Sequence, residues 1–420
     1  MEKQVKNRLY WVNFSLLSLD SGAFSFAVNM FSHLTIVPYY LSRLTDSSTI
    51  IGLGPVIFIL GMYLPQAFAA NFINSLRQRK KYLVAFAVGE RVGILLMWLA
   101  VFFLATSSSV FSIGVFLMCY GVFTISVGMF LPAHTDLVAR SIPVNRGMFY
   151  GVSHFMGGMA GIVGTQLASY YLDTFAFPTD FYRIFGLQLL VTGMSLLFWI
   201  VIKEPAYHLP IQKRSATVYI KHLKDILVRR TEYRKFVIVR IVLNLCEVAT
   251  PFFGVYAAIR FDLQPGVFGI FTMVVLVSQG LSTLLWGYIG DRWGFKPVLQ
   301  IAASFGVAAA ALALTAPRYE VFFAVYALIG AMFSAALISN MNLGIEFSEP
   351  GETPTYVGLL NSAQAIPLAM APLLGGVIAD IFNYEVTITL GLVLFSIALV
   401  YVTFSMTDPR KMAKQSVPDA

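Results

Sequence analysis

Twelve long apolar runs, separated by short segments that hold most of the charges, constrain this chain more than any other feature. They lie at about 9–41, 47–76, 82–105, 110–135, 147–172, 184–202, 236–259, 263–290, 297–317, 321–345, 353–379 and 386–407. A helix needs about 17–25 residues to cross roughly 30 Å of hydrocarbon, and each run reaches that length. Because unpaired backbone groups are costly in lipid, we expect the runs to be helices rather than open strands.

The composition excludes most soluble classes of protein. Hydrophobic residues make up 58% of the chain and charged residues only 12%, whereas a soluble domain carries about 45–50% and about 25%. The net charge of +8 is spread along short loops, without the clustered basic face that binds nucleic acid. A soluble enzyme, a nucleic-acid-binding domain and a disordered scaffold are therefore not expected, and the lipid bilayer is the expected partner of this surface.

The distribution of basic residues predicts the orientation of the runs. Most of the 29 lysines and arginines fall in segments on the side of the N-terminus, and the other side holds Arg43, Arg183, Arg260 and Arg318. The positive-inside rule then places both termini in the cytoplasm. We expect the membrane to be the plasma membrane, such as a bacterial inner membrane. The first run is too long for a signal peptide, and we expect it to be a retained helix.

The longest polar stretch, 203–235, predicts a division of the chain into domains. Residues 1–202 and 236–420 are each expected to form a six-helix transmembrane bundle, the second with a short cytoplasmic tail, and 203–235 a basic cytoplasmic linker. The end of this linker has apolar residues at helical spacing, which suits a short helix on an anionic leaflet. A soluble linker that carries positive-inside charge explains the same pattern equally well.

The two halves repeat weakly. The connections at 136–151 and 346–358 each have a proline-containing turn followed by an aromatic-to-glycine entry into a helix. Internal repetition of helix sets is typical of secondary transporters, whose binding site lies near the middle of the membrane.

A charged, glycine-rich motif lies between the eighth and ninth runs. It reads Gly287-Tyr-Ile-Gly290-Asp291-Arg292-Trp-Gly294-Phe-Lys296-Pro297. The first two glycines allow close helix packing, Asp291 can cap a neighbouring helix N-terminus, and Gly294 supplies a turn with unrestricted φ. This motif resembles the signature of the major facilitator superfamily, and the resemblance extends over essentially the whole chain.

The resemblance implies an all-α integral membrane protein with twelve transmembrane helices in two six-helix bundles and both termini in the cytoplasm. It also implies alternating access around a central site. The chain departs from the family where the second and third runs meet, because Ser75 stands at the position of the motif's aspartate. The fourth run has no mid-span arginine and the fifth no antiporter proline, so proton-coupled drug efflux is not favoured.

Ionisable residues inside the runs are the strongest candidates for function, because each is expensive at the centre of a bilayer. Asp20 lies about ten residues into the first run, or about 15 Å from its end, and is a candidate for proton coupling or substrate contact. A structural pair or a hydrogen-bonded kink is the alternative. Glu90 and Arg91 lie in a helix that supports the cavity in the family, and we expect them to form a structural pair.

The seventh run carries Arg240, Asn244 and Glu247 on one helical face, where they are able to clamp a polar substrate or to satisfy one another. His154 is a candidate proton relay, or a hydrogen-bonded packing residue. Neutral polar residues on cavity-lining helices complete the set. The substrate-binding or proton-coupling candidates are Asp20, Glu247, Asn244, Arg240, Gln279, Asn361, Gln364 and His154, with Gln66 and Asn340 as further neutral polar positions.

A cytoplasmic latch is the second predicted site. The hypothesis is that Glu346 pairs with Arg292 or Lys296 and closes the cytoplasmic side. The predicted gating residues are Gly287, Gly290, Asp291, Arg292, Gly294, Lys296 and Glu346.

These features favour secondary active transport of a small organic solute by alternating access, linked to protons through Asp20 and Glu247. A uniporter without proton coupling is the alternative, and a non-transporting sensor with the same fold is a third possibility. The sequence has neither a phosphate-binding P-loop nor a zinc-binding HExxH motif, and its two cysteines are isolated. We therefore expect no enzyme activity, cofactor, catalytic residue or metal site, and a monomer whose partners are its solute, protons and lipid.

Overall fold

A computed structural model describes residues 2–33, 35–45, 47–105, 110–205, 214–263 and 266–410. These residues form helices joined by short connections, and none of them is in a strand. The helices of the first half are α1 (Glu2–Met30), α2 (Ile36–Ser42), α3 (Ser48–Tyr63), α4 (Gln66–Asn74), α5 (Arg79–Leu104), α6 (Val110–Ser141), α7 (Arg146–Thr174) and α8 (Thr179–Val201).

The second half begins with α9, which falls within the predicted linker. Its helices are α9 (Ala216–Arg229), α10 (Thr231–Leu245), α11 (Phe252–Phe261), α12 (Gly266–Trp293), α13 (Phe295–Thr315), α14 (Val321–Glu346), α15 (Thr353–Ile381) and α16 (Tyr384–Phe404), with a 3-10 turn at Cys246–Val248 between α10 and α11.

The apolar runs are helical, which confirms the all-α prediction. Ten stretches of the described helices are long and apolar enough to cross a membrane. They are Ile50–Asn74, Arg79–Leu104, Val110–Ser141, Thr179–Val201, Thr231–Phe261, Ile270–Trp293, Phe295–Thr315, Val321–Glu346, Thr353–Ile381 and Tyr384–Phe404. The serines at 107–109 and Pro265, which the sequence marks as breaks, lie outside the described residues.

Three of the predicted runs are pairs of helices rather than single helices, namely 9–41 (α1 and α2), 47–76 (α3 and α4) and 236–259 (α10 and α11). Helices α3 and α4 meet at Pro65, and Pro251 precedes the first residue of α11. Proline lacks the backbone N–H that a helix interior requires and clashes with the preceding turn, whereas it fits the start of a helix. As a result, Glu247 lies on the 3-10 turn and not on α10.

The chain divides into two compact units. Unit 1 comprises Met1–Val144, Val152–Lys213 and Pro350–Gly358, and unit 2 comprises Asn145–Gly151, Arg214–Glu349 and Leu359–Ala420. The first turns of α7 therefore belong to unit 2, and those of α15 belong to unit 1.

Each unit has its own apolar core. In unit 1 the core is aromatic, with Tyr40 and Phe116 at a ring-centroid distance of 4.4 Å. In unit 2 the alanines Ala309 and Ala313 of α13 pack with Phe322 of α14. Small side chains of this kind let helix backbones approach closely, which compensates for the weak hydrophobic driving force between helices in lipid.

Candidate functional site

The polar candidates of unit 2 form a hydrogen-bonded cluster around Gln364, which lies on α15. Its Oε1 accepts hydrogen bonds from Arg240 Nε and Asn244 Nδ2, both at 3.1 Å. Arg240 and Asn244 are one helical turn apart on α10, so their side chains leave the helix on the same face. The structure thus brings three of the residues predicted from sequence to one acceptor atom.

Two asparagines extend this cluster. Gln364 Nε2 donates to Oδ1 of Asn340 at 3.3 Å and to Oδ1 of Asn361 at 3.4 Å, and Asn340 Nδ2 donates to Asn361 Oδ1 at 3.3 Å. Helices α10, α14 and α15 each supply at least one member. We call the five residues the amide cluster: Arg240, Asn244, Asn340, Asn361 and Gln364.

The amide cluster is buried on one side and accessible on the other. Gln364 is 1% exposed and Arg240 is 8% exposed, whereas Asn340 and Asn361 are half-buried. Glu247, also half-buried, interacts electrostatically with Arg240. A polar solute that reached the accessible amides would find donors, acceptors and one charge of each sign, while the buried members held them in position.

Asp20 lies in unit 1, in a second buried cluster. Its carboxyl interacts with Arg91 of α5 and faces Ser195 and Trp199 of α8. Arg91 Nη1 also forms a 3.0 Å ion pair with Glu90 Oε2, which is the structural pairing expected from sequence. Asp20, Glu90, Arg91 and Ser195 are hereafter the acid cluster.

Arg91 is held firmly in the acid cluster. Its Nη2 donates to Ser195 Oγ at 2.8 Å, its Nε to the Thr192 carbonyl at 3.0 Å, and its Nη1 to the Ala87 carbonyl at 3.0 Å. One guanidinium thus stands between two carboxyl groups. If both carboxyl groups are ionised, the cluster carries one uncompensated negative charge, which is costly in a low-dielectric interior.

Several polar atoms near the acid cluster have no hydrogen-bond partner among the described residues. They are Asp20 Oδ1, Glu90 Oε1, both amide atoms of Gln188, and Trp199 Nε1. Gln188, Thr192, Ser195 and Trp199 recur at helical spacing along α8, so they share one face. None of these four residues was predicted from the sequence, although their periodicity along α8 is visible in it.

Gln279 and His154 complete the set of predicted binding residues. Gln279 lies on α12, where its carbonyl accepts a hydrogen bond from Thr283 Oγ1 at 2.5 Å and its backbone N–H group packs near Gly330 of α14. His154 lies on α7 beside Ser153, whose hydroxyl is 2.9 Å from that of Ser18. Among the described residues, no three His, Cys, Asp or Glu side chains come together as a metal site requires.

The charged motif of unit 2 caps a helix. Asp291 Oδ1 accepts from the backbone N–H of Gly147 at 2.9 Å, and Oδ2 accepts from that of Met148 at 2.7 Å. These N–H groups belong to the first turn of α7, so the carboxylate satisfies two donors that the helix itself leaves unpaired.

Glu346 is bonded to Arg410 rather than to Arg292 or Lys296. Arg410 Nη2 and Glu346 Oε1 are 2.8 Å apart, and Arg410 Nη1 donates to the Asp291 carbonyl at 2.8 Å. Arg292 Nη1 instead donates to Tyr288 Oη at 2.9 Å, and Lys296 Nζ to the Thr403 carbonyl at 3.1 Å. The hypothesis assigned Glu346 a partner from the motif, whereas the observed partner lies 64 residues further along the chain.

The motif glycines permit close approach. Gly147 and Gly287 face each other so closely that a Cβ on either would overlap the carbonyl of the other, and Gly290 packs against the Phe295 ring. Gly294 has φ 95°, a conformation that side-chain-bearing residues rarely adopt.

In unit 1, the segment that corresponds to this motif forms a neutral hydrogen bond instead of a charged one. Asn74 Nδ2 donates to Thr355 Oγ1 at 2.6 Å, and both residues are buried. Ser75, at the position of the motif's aspartate, donates to the Phe72 carbonyl of its own helix at 2.7 Å.

Comparison with known proteins links this geometry to one family. The model of the Major Facilitator Superfamily matches residues 236–419. An MFS-type transporter of Bacillus subtilis, YuxJ, is 24% identical over 360 residues, which cover 79% of this chain and 81% of that protein. Multidrug resistance protein D of Escherichia coli is 29% identical over 131 residues, covering 31% and 32% of the two chains.

Solved structures of transporters share the fold. The structure of the MFS transporter FucP in the outward conformation superposes with a TM-score of 0.77 at 15% identity, covering 95% of this chain and 100% of that one. The proton:xylose symporter XylE superposes with a TM-score of 0.72 at 12% identity, covering 96% and 97%. The chain is thus similar in its second half to the family model of the Major Facilitator Superfamily, and over nearly its whole length it shares the fold of solved transporters of that superfamily.

Proposed function

We propose that this protein is a secondary active transporter that moves a small organic solute across the plasma membrane by alternating access, linked to protons. In this proposal residues 1–202 and 236–420 form two six-helix bundles, the linker 203–235 lies in the cytoplasm with both termini, and the chain crosses the membrane twelve times. The family, the ten apolar helical stretches and the positive-inside distribution support it.

The amide cluster is the observation that carries the proposal. Buried amides and a guanidinium within membrane-spanning helices are expensive, and such groups mark substrate or ion pathways. Gln364 shares its oxygen between Arg240 and Asn244, so these donors can turn to a solute when the internal hydrogen bonds exchange. The half-buried Asn340 and Asn361 give a solute access to them. We assign solute binding to this cluster.

Proton linkage is proposed from the charge balance of the two clusters. The acid cluster holds two carboxyl groups and one guanidinium, so one bound proton makes it neutral. Glu247 interacts with Arg240, so its protonation changes the charge that a solute meets in the amide cluster. XylE, which shares the fold, is a proton:xylose symporter. We therefore assign Asp20 and Glu247 as the coupling groups.

The decisive experiment is solute flux in proteoliposomes with and without an imposed proton gradient. A panel of sugars, organic anions and amphipathic drugs, screened by thermal shift, supplies the solute. For one charge that crosses 100 mV, a proton-linked carrier drives up to about a fiftyfold concentration ratio. We expect the Asp20→Asn and Glu247→Gln variants each to lose accumulation of the solute. Each variant should then only equalise the solute concentration on the two sides of the membrane. Glu385→Gln, at an exposed position, is the matched control and keeps full accumulation.

The same assay separates the alternatives. If solute flux through the wild-type protein does not depend on the proton gradient, this contradicts proton coupling and supports a uniporter. Solute binding without flux contradicts transport and supports a sensor.

A further inference from the structure

Unit 1 contains a basic cavity that neither polar cluster uses. The cavity has a volume of about 740 Å³ and lies where the chain turns from α4 into α5, beside the end of α8. Its lining residues are Arg77, Gln78, Lys80, Lys81, Val84, Glu204 and Pro205.

Glu204, the single acidic residue of the cavity lining, already has hydrogen-bond and ion-pair partners within the protein. Glu204 Oε1 accepts from the Arg79 backbone N–H and from Arg140 Nη2, both at 3.0 Å, and its Oε2 accepts from the Lys80 backbone N–H at 3.0 Å. Its charge therefore caps the start of α5 and pairs with Arg140, and it does not neutralise the lysines of the lining.

The cations of the lining are available to a ligand. Arg77 and Lys81 are exposed and form no ion pair with any residue that the structure describes. Lys80 Nζ donates to the Ile202 carbonyl at 2.6 Å and to the Ile200 carbonyl at 3.3 Å, so it lies across the last turn of α8. Three positive charges thus border one cavity, and no anion within it compensates them fully.

An apolar surface begins beside the cavity. Ile200 and Val201 of α8 are 74% and 53% exposed, and Val88, one turn along α5 from Val84 of the lining, is 44% exposed. Helices α5 and α8 are both long and apolar enough to span a membrane. The cavity therefore lies at the end of two spans, where a charged headgroup and an acyl chain would meet the protein together.

We propose that this cavity binds the phosphate headgroup of an anionic phospholipid, with an acyl chain along Ile200, Val201 and Val88. Phosphate oxygens accept charge-assisted hydrogen bonds from Arg and Lys, and basic pockets at the ends of membrane helices bind anionic headgroups. A free phosphate ion shares this chemistry, but it gains nothing from the adjacent aliphatic surface. The inference is independent of the solute and of proton coupling.

Native mass spectrometry of the purified full-length protein with phosphatidylglycerol tests the proposal, with phosphatidylcholine as the neutral lipid. Each nearby Lys or Arg contributes about 1 kcal/mol to binding an anionic lipid surface. We expect the Arg77→Gln/Lys81→Gln variant to weaken phosphatidylglycerol binding by about tenfold or more. The charge-conserving Arg77→Lys/Lys81→Arg variant should restore most of it. Arg43→Gln/Arg318→Gln, at exposed positions outside the cavity lining, removes the same charge elsewhere and should change binding less than twofold.

Three outcomes would overturn the proposal. The first is unchanged phosphatidylglycerol binding by Arg77→Gln/Lys81→Gln, and the second is an equal loss in the Arg43→Gln/Arg318→Gln control, which would indicate a net-charge effect only. The third is displacement of the lipid by an equimolar amount of inorganic phosphate, which would assign the cavity to a free ion. An unchanged melting temperature and elution volume establish that each variant is folded.

Discussion

The acid cluster of unit 1 is built mainly of charged side chains, whereas the amide cluster of unit 2 is built mainly of neutral amides. In the acid cluster Arg91 interacts with Asp20 and Glu90, so acids outnumber bases. In the amide cluster the neutral Gln364 joins Arg240 to three asparagines. The two clusters also differ in how fully their hydrogen bonds are satisfied, because Asp20 Oδ1 and Glu90 Oε1 lack partners among the described residues and no buried side-chain atom of the amide cluster does.

The two clusters therefore differ in the ligand chemistry to which they respond. A cluster with an excess carboxyl group responds to a proton, since protonation removes an uncompensated buried charge. A cluster of amides responds to a polar solute, since its donors and acceptors exchange partners without changing charge. Within the proposed transport function, unit 1 is suited to proton binding and unit 2 to solute binding.

Removal of the guanidinium from the acid cluster should give the largest effect. Arg91→Met leaves two buried carboxyl groups without a counter-charge, and removal of one partner of a buried ion pair typically costs about 3–5 kcal/mol. Arg240→Met should cost less, because most of its neighbours are neutral amides. Chemical denaturation of the purified protein, followed by tryptophan fluorescence, measures both free energies of unfolding.

The double variant Arg91→Met/Glu90→Gln controls this prediction. It removes one of the stranded carboxylates and should recover part of the lost stability. Equal destabilisation by Arg91→Met and Arg240→Met would mean that the two clusters do not differ electrostatically.

A matched pair of buried glutamines tests the difference in how fully hydrogen bonds are satisfied in the two units. Gln364 and Gln188 are 1% and 0% exposed, but only Gln364 bonds to the neighbouring amides, whereas the amide atoms of Gln188 have no partner that the structure describes. Gln364→Leu should destabilise the protein by about 1–3 kcal/mol, because its buried partners lose their hydrogen bonds. Gln188→Leu should be neutral or stabilising, because it removes unsatisfied polar atoms. A larger loss for Gln188→Leu than for Gln364→Leu in the same denaturation assay would refute this prediction.

The smallest expected effect concerns the loops, where the contrast between the units is reversed. Asp291 caps α7 with a carboxylate, while Asn74 bonds to Thr355 as a neutral amide. Asp291→Asn removes a charge at a helix N-terminus, which is worth about 0.3–1 kcal/mol and is screened by salt. Asn74→Ala removes a neutral hydrogen bond, worth about 0.5–1.5 kcal/mol. Melting temperatures at low and high ionic strength should show a salt-dependent loss for the first variant alone.

The helices were predictable because the bilayer imposes a minimum length on each apolar run. The breaks at Pro65 and Pro251 were not predicted, because other prolines lie inside α3, α6 and α15 without ending them. Partners distant in sequence were not predictable. Arg410 bonds to Glu346 across 64 positions, and such a pairing depends on packing angles that periodicity does not contain.

The candidate site shows the same limit. Helical spacing placed Arg240 and Asn244 on one face, and the structure joins both to Gln364. The sequence placed Asp20 near the middle of a predicted span. It did not reveal that the Asp20 side chain interacts electrostatically with Glu90 and Arg91. The depth of a side chain in the membrane follows from its position along the helix. The direction in which that side chain points within the bundle depends on how all the helices pack.

The 3-10 turn at Cys246–Val248 gives the Glu247 side chain a direction different from the one that a continuation of α10 would give it. Each residue of a 3-10 turn advances the chain by about 120°, compared with about 100° in an α-helix. Over the turn, this difference amounts to some tens of degrees relative to a continued α-helix. The direction of the Glu247 carboxylate relative to α10, which carries Arg240, is therefore set by the winding of the chain between α10 and α11.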